Sequence, residues 1–288
     1  RIAVAALVAA LAICTVLIAR PAHVDRDAER SSSRDIVLCL DVSGSALPYD
    51  RAVIETYLEL VSHFQGERIA LSIFNSTSRT VFPLTDDYDL VSSQLTKAAD
   101  ALRGVESQDD IDKMSDKDYQ KIADWLEGTQ NRKNSTSLIG DGLVSCAAMI
   151  PGFAYGDTSG AARQRPASIV LATDNVASGT PTYSLAQALD MAEASHISVD
   201  GLFSGPRQSE GDATTTEMKQ QIESRGGTFL TQSGSSDINE LVRQIDSRRT
   251  SESRRSSQAA LIDAPGWWTL MLVVLLAIWM ILAWRLRR

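Results

Sequence analysis

The segment Asp41-Val42-Ser43-Gly44-Ser45 sets one carboxylate and two hydroxyls at alternate positions. Pointing one way from a turn, they offer hard oxygen ligands, which suit Mg²⁺, Mn²⁺ or Ca²⁺ better than zinc. Alone the pattern is weak, because an Asp and a Ser capping a helix give the same letters. Two other places carry matching chemistry. Thr136-Ser137 puts hydroxyls at the start of an apolar helical stretch, and Asp174 follows the buried run Ser168–Thr173. Singly, Ser137 reads as a helix cap and Asp174 as a turn residue. Three strand-to-helix junctions presenting oxygen groups in this order rarely arise by chance.

Those junctions need elements to hold them. Residues 35–41 (DIVLCLD) are a continuous apolar run, as expected of a strand covered on both faces. Val53, Tyr57, Leu60, Val61 and Phe64 then recur at helical spacing, and Gly66 closes that helix. Strands are expected at 68–74, 79–84 (an edge, from Pro83), 168–173, 197–203 and 227–231, with helices at 87–102, 138–150, 183–195, 214–225 and 236–247. This alternation predicts an α/β fold with a doubly wound, mostly parallel sheet. Ligands of such sheets bind outside the carboxyl ends of the strands, where the strand order reverses. Residues 104–134 interrupt the alternation as an insertion. It carries a helix at Ser115–Glu127, with Ser115 and Asp118 fitting a capping box and Gly128 ending it.

The 288 residues carry 28 Lys+Arg against 36 Asp+Glu, a net charge of −8. Arg1, Arg285, Arg287 and Arg288 lie in the tails, so residues 20–266 hold 24 basic and 36 acidic side chains, a net of −12. That balance excludes broad nucleic-acid binding through phosphates. Residues 2–19 and 267–284 are uncharged stretches of 18, each about 27 Å long as a helix and so close to bilayer thickness. The second has Trp267, Trp268 and Trp284 at its ends and then Arg285, which predicts a transmembrane helix with a cytoplasmic C-terminus. The first is a retained anchor or a secretory signal, with the anchor favoured because Arg20 spoils a cleavage site before Ala22. Because the chain opens on Arg1 instead of Met, a preceding N-terminal stretch is expected. The domains expected are a span at 2–19, the α/β domain at 33–248, a stalk at 249–265 and a span at 267–284. The acidic middle would then lie outside the cytoplasmic membrane. Cys14, Cys39 and Cys146 read as small buried hydrophobes.

Over residues 33–248 the chain resembles von Willebrand factor type A domains bearing a metal-ion-dependent adhesion site. Asp41, Ser43 and Ser45 match the first loop of that motif and Asp174 the third. Ile139-Gly140-Asp141-Gly142-Leu143 matches the second, which puts Ser137 where the family has threonine. The resemblance implies the metal ligands Asp41, Ser43, Ser45, Ser137 and Asp174, with Thr136 as the alternative to Ser137, and Mg²⁺ (or Mn²⁺ or Ca²⁺) as the ion. It also implies binding rather than catalysis, in which a carboxylate from a partner protein completes the metal's coordination and the last helix, about 236–247, can shift. Phe74, Phe82–Tyr88, Leu138–Leu143 and Ile169–Asp174 further resemble the bacterial Bat-type (aerotolerance) membrane proteins. These hold the domain between membrane helices and are often partnered with MoxR-type AAA+ ATPases and other such membrane proteins. Here Ala46 replaces a common Met and Asn175 a common Gly.

An enzyme is the competing class. The sequence has no G-x-S-x-G elbow, phosphate loop, G-x-G-x-x-G or H-E-x-x-H, so no catalytic residue or organic cofactor is expected. A hydrolase built on Ser43 or Ser45 would lack a base, since His63 and His196 stand at helix ends. Asp109, Asp110, Asp112, Asp116 and Asp118 lack the Gly and terminal Glu of a calcium loop and read as a solvated surface. Tyr119 and Trp125 could face a partner. The expected role is a scaffold of a bacterial cell-envelope complex; the alternative is an extracellular adhesin or receptor module.

Overall fold

The computed structural model describes residues 34–231 apart from Gln65, Glu106, Lys133 and 154–164, together with 22–23, 262–263 and 266–286. The first span, the helix expected at 236–247 and most of the stalk lie outside the described residues.

In the α/β unit the order is β1 (Asp35–Asp41), α1 (Leu47–Ser62), β2 (Arg68–Phe74), β3 (Ser78–Thr85), α2 (Tyr88–Ala101), α3 (Gln108–Asp112), α4 (Asp116–Leu126), α5 (Ile139–Ala147), β4 (Ala167–Thr173), α6 (Leu185–Ala194), β5 (Ile197–Phe203), α7 (Ala213–Glu223) and β6 (Phe229–Leu230). The six strands lie in the order β3-β2-β1-β4-β5-β6. Only the β2–β3 pairing is antiparallel, and β3, which carries Pro83, is an edge. The order reverses at β1, between β2 and β4, so the crevice for a ligand opens over the C-terminal ends of β1 and β4.

The unbroken hydrophobicity of β1 follows from its two covered faces. Ile36, Leu38 and Leu40 enter a layer with Val53, Ile54, Tyr57 and Leu60 of α1 and Val91 and Leu95 of α2. Val37 and Cys39 enter the other, with Leu143 and Cys146 of α5, Leu189 of α6 and Met218 of α7. The insertion closes onto the first layer. Ser115 caps α4 by accepting from the Asp118 amide, Ile122 is buried, and Gly128 ends the helix at φ 81°. Tyr119 is exposed, whereas Trp125 packs on the core beneath the Arg79 guanidinium, 5.7 Å from its ring centroid. Trp125 is thus half-buried against the core, and Tyr119 is the exposed member of the pair.

One sequence expectation is corrected outright. Cys39 and Cys146 are not free thiols packed as hydrophobes; they form a disulfide across the second layer. Spacing gives no hint of this, because 107 residues separate them.

The remaining elements form a separate unit. Ala22–His23 pairs antiparallel with Ile262–Asp263, so the end of the expected stalk is a short strand. The second apolar stretch is a helix, α8 (Gly266–Leu286), 21 residues long. Leu270, Val273, Val274, Met280, Ile281 and Trp284 are exposed along it. Among the residues whose side chains are described, no helical stretch is both long and apolar enough to cross a membrane. Those side chains leave out residues 266–269, Leu282 and Leu286 of this helix.

Candidate metal centre

Asp41 closes β1 and is fully buried. Parallel pairing with β4 sets Leu40 opposite Ala172, which brings Thr173 alongside Asp41. The Thr173 hydroxyl donates to Asp41 Oδ2 at 2.7 Å, and the Ser137 hydroxyl donates to the same oxygen at 2.5 Å. The Ser43 amide donates to Asp41 Oδ1 at 3.0 Å, which curls the chain so that Ser43 Oγ and Ser45 Oγ lie 3.3 Å apart. Ser45 also hydrogen-bonds to the Asp174 carboxylate, whose Oδ1 accepts from the Val176 amide at 2.9 Å. The fold thus brings Asp41, Ser43, Ser45, Ser137 and Asp174 to one place. Thr136 takes another role: its backbone bridges to Ser178, and its neighbour's hydroxyl is the one on Asp41.

Local chemistry explains the second loop. Ser137 is not a helix cap; Leu138 holds that position without a side-chain bond. Ser137 sits at φ 50°, a left-handed conformation that crowds a β-branched side chain, which accounts for serine in place of threonine. Its amide donates to Asn75 Oδ1 at 3.0 Å, and the Leu138 amide donates to the Asn75 carbonyl at 2.9 Å. In the Gly140-Asp141-Gly142 run, a Cβ on Gly140 would lie 2.0 Å from the Tyr183 carbonyl and one on Gly142 2.4 Å from the Phe74 ring. Between them, Asp141 accepts from the Thr182 and Tyr183 amides at 3.1 and 2.8 Å. The second and third loops are therefore locked together. The departure at Asn175 has a similar cause: it occupies φ 58°, which Asn tolerates nearly as Gly does.

Three participants escaped the sequence reading. Thr173 was detectable as the strand residue abreast of Asp41. Asn75 follows β2 at the same sheet edge. Asp50 falls on the buried stripe of α1 with Val53, Ile54 and Tyr57, an anomaly visible in the spacing. It is fully buried, with Oδ1 accepting from Ser204 Oγ at 3.3 Å and Oδ2 lacking a hydrogen-bond partner among the described residues.

The electrostatics favour a cation. Burial pushes the Asp41 carboxyl up to about 6, against the hydrogen bonds from Ser137 and Thr173, and the Asp174 charge adds to the rise. Burial likewise raises Asp174. Asp50 is held well above the usual carboxylate range, first by burial and then by the charge of Asp41. Two buried carboxylates with hydroxyls around them, and among the described residues no Lys or Arg within hydrogen-bond reach, form a concentration of negative charge that a hard divalent ion would neutralise. The donor set fits such an ion.

Beside the cluster lies a cavity of about 430 Å³, whose lining includes Ser45, Asp174, Pro48, Tyr49 and Pro206.

No family model matches the chain, and no curated protein matches it. Solved structures are similar in outline. BatB from Bacteroides thetaiotaomicron aligns at TM-score 0.47 and 16% identity, covering 77% of this chain and 99% of that one. An aerotolerance-related membrane protein from Bacteroides fragilis gives 0.43 and 17%, covering 74% and 99%. Proximal thread matrix protein 1 from the mussel byssus, with a zinc-occupied adhesion motif, gives 0.43 and 17%, covering 74% and 46%. Similarity at this level carries no functional inference. In its motif residues the chain resembles von Willebrand factor type A domains, Bat-type proteins among them.

Proposed function

We propose that this chain is a membrane-anchored interaction module. It holds a divalent cation between Asp41, Ser43, Ser45, Ser137 and Asp174, and offers the ion to a carboxylate of a partner protein. The reading is carried by one observation: three loops deliver hydroxyls and two buried carboxylates, with no countercharge among the described residues, to the open end of the mostly parallel sheet. Mg²⁺ suits so few protein ligands, because it keeps waters and exchanges one for an incoming oxygen. The ion would supply the charge that recognises the partner. The protein's part is to fix the hydroxyls and keep the carboxylates dry.

We read the module as binding rather than catalysing: among the described residues Ser43 and Ser45 contact each other's hydroxyl or a carboxylate. We place the domain outside the cytoplasmic membrane, anchored by α8, whose 21 residues rise about 31 Å and carry Arg285 in the last turn. The Cys39–Cys146 disulfide supports an oxidising compartment. A scaffold of a cell-envelope complex, worked on by a MoxR-type ATPase and joined by other Bat-like membrane proteins, is the role this arrangement suits.

The test is capture of partners by the detergent-solubilised chain in Mg²⁺ and in chelator, read by mass spectrometry. Partners retained in Mg²⁺ and lost both with chelator and with Asp41→Ala are expected. A partner set indifferent to both changes would overturn the proposal.

A further inference from the structure

β1 carries Cys39 two residues before Asp41, and α5 carries Cys146 on the helix that Ser137 introduces. The same two segments are thus joined twice. At the site the link is the hydrogen bond from Ser137 to Asp41, and within the apolar layer it is the buried disulfide. Apart from these, Ser137 and Leu138 are held by two bonds to Asn75, and α5 lies flush on Phe74 through Gly142. Ser137 meanwhile stands at φ 50°, a conformation that persists only when its surroundings over-determine it. Along the chain, 96 residues separate Ser137 from Asp41, so the backbone path between them fixes nothing.

We infer that the Cys39–Cys146 disulfide is a positioning element of the metal centre. It sets the depth of α5 against β1, so that the Ser137 hydroxyl reaches Asp41 before any ion arrives. The inference rests on reading the cluster as a cation site. A disulfide that only stabilised the fold would leave metal affinity untouched, and this is where the two roles separate. Preorganised ligands bind more tightly because less ordering is left for the ion to impose.

The first measurement is Mg²⁺ titration calorimetry on the full chain, comparing wild type with Cys39→Ala/Cys146→Ala. Affinity about tenfold weaker is expected, with faster amide exchange at 137–142 in the metal-free variant and unchanged exchange in α2 on the other face. Leu95→Ala, a cavity in the opposite layer, controls for lost stability and should bind Mg²⁺ as wild type does. A folded double variant with wild-type affinity overturns the inference. No binding by the oxidised wild type sinks the metal reading first, and this inference with it.

If the double variant does not fold, the wild-type thiol–disulfide equilibrium is measured in a dithiol buffer with and without Mg²⁺, trapping thiols by alkylation. Linkage is reciprocal, so tenfold tighter binding to the oxidised form shifts that equilibrium tenfold, about 30 mV. No shift overturns the inference. So does a shift as large as the whole metal-dependent stabilisation of the fold, which global unfolding on reduction would give.

Discussion

Two groups of acidic residues behave in opposite ways. Asp109, Asp110, Asp112, Asp116 and Asp118 crowd ten positions of the insertion, on two short helices where Asp109 and Asp116 are exposed. There Asp118 is held below the usual carboxylate range by a hydrogen bond and charge from Lys121, with Ser115 adding. Asp41, Asp50 and Asp174 are scattered over 134 positions, yet the sheet gathers them, and burial raises all three. Crowding along the chain is therefore a poor guide to a site. Burial without a countercharge is the better one, because the protein must spend stability to keep it.

That contrast can be broken by substitution. Asp41→Ala should lower Mg²⁺ affinity by 100-fold or more, to the order expected for losing a charged ligand. Asp109→Asn with Asp118→Asn should leave it within about twofold, as solvated charges are screened. Calorimetry reads both, and equal losses would erase the distinction.

Backbone tightness differs as much. Gly140→Ala drives a methyl into the Tyr183 carbonyl and should cost about 3 kcal/mol or more in denaturant unfolding, in the range of overpacked sites. Ser115→Ala in the insertion removes only a helix cap, worth about 1 kcal/mol.

The pH response sharpens the comparison further. Asp41 has a folded value of about 6 against an ordinary 3.8, so its ionisation opposes folding. The metal-free fold is unburdened below the ordinary value and loses stability as pH rises from there through 6, on the order of 2–3 kcal/mol from this group. Mg²⁺ should restore it. The Mg²⁺-induced rise in Tm should therefore grow between pH 5 and 7.5, and a flat difference would contradict the placement of the charge. Asp118 shifts the other way, and its contribution is present above the ordinary range and lost in acid. Ser137→Thr should keep the hydroxyl but cost about 1–2 kcal/mol at φ 50°.

Much of this was legible in the sequence. The apolar run of β1 and the helical stripe after it predict the central strand and α1, and Pro83 predicts the edge. Asp41, Ser43, Ser45 and Asp174 announce themselves by their places at strand ends. What stayed hidden depends on long-range register. Only the pairing of β1 with β4 sets Thr173 against Asp41, and only packing of α5 on β1 brings Cys146 to Cys39. The left-handed backbone at Ser137, which decides between it and Thr136, is likewise invisible in the letters.

On the proposed reading Asp41 is a buried carboxylate poised for a cation. The decisive experiment is Mg²⁺ titration of the full chain at pH 7.5 and at pH 5. Saturable one-to-one binding at pH 7.5, much weaker at pH 5 and absent in Asp41→Ala, is the predicted result. Binding that is equal at the two pH values and survives Asp41→Ala would contradict it.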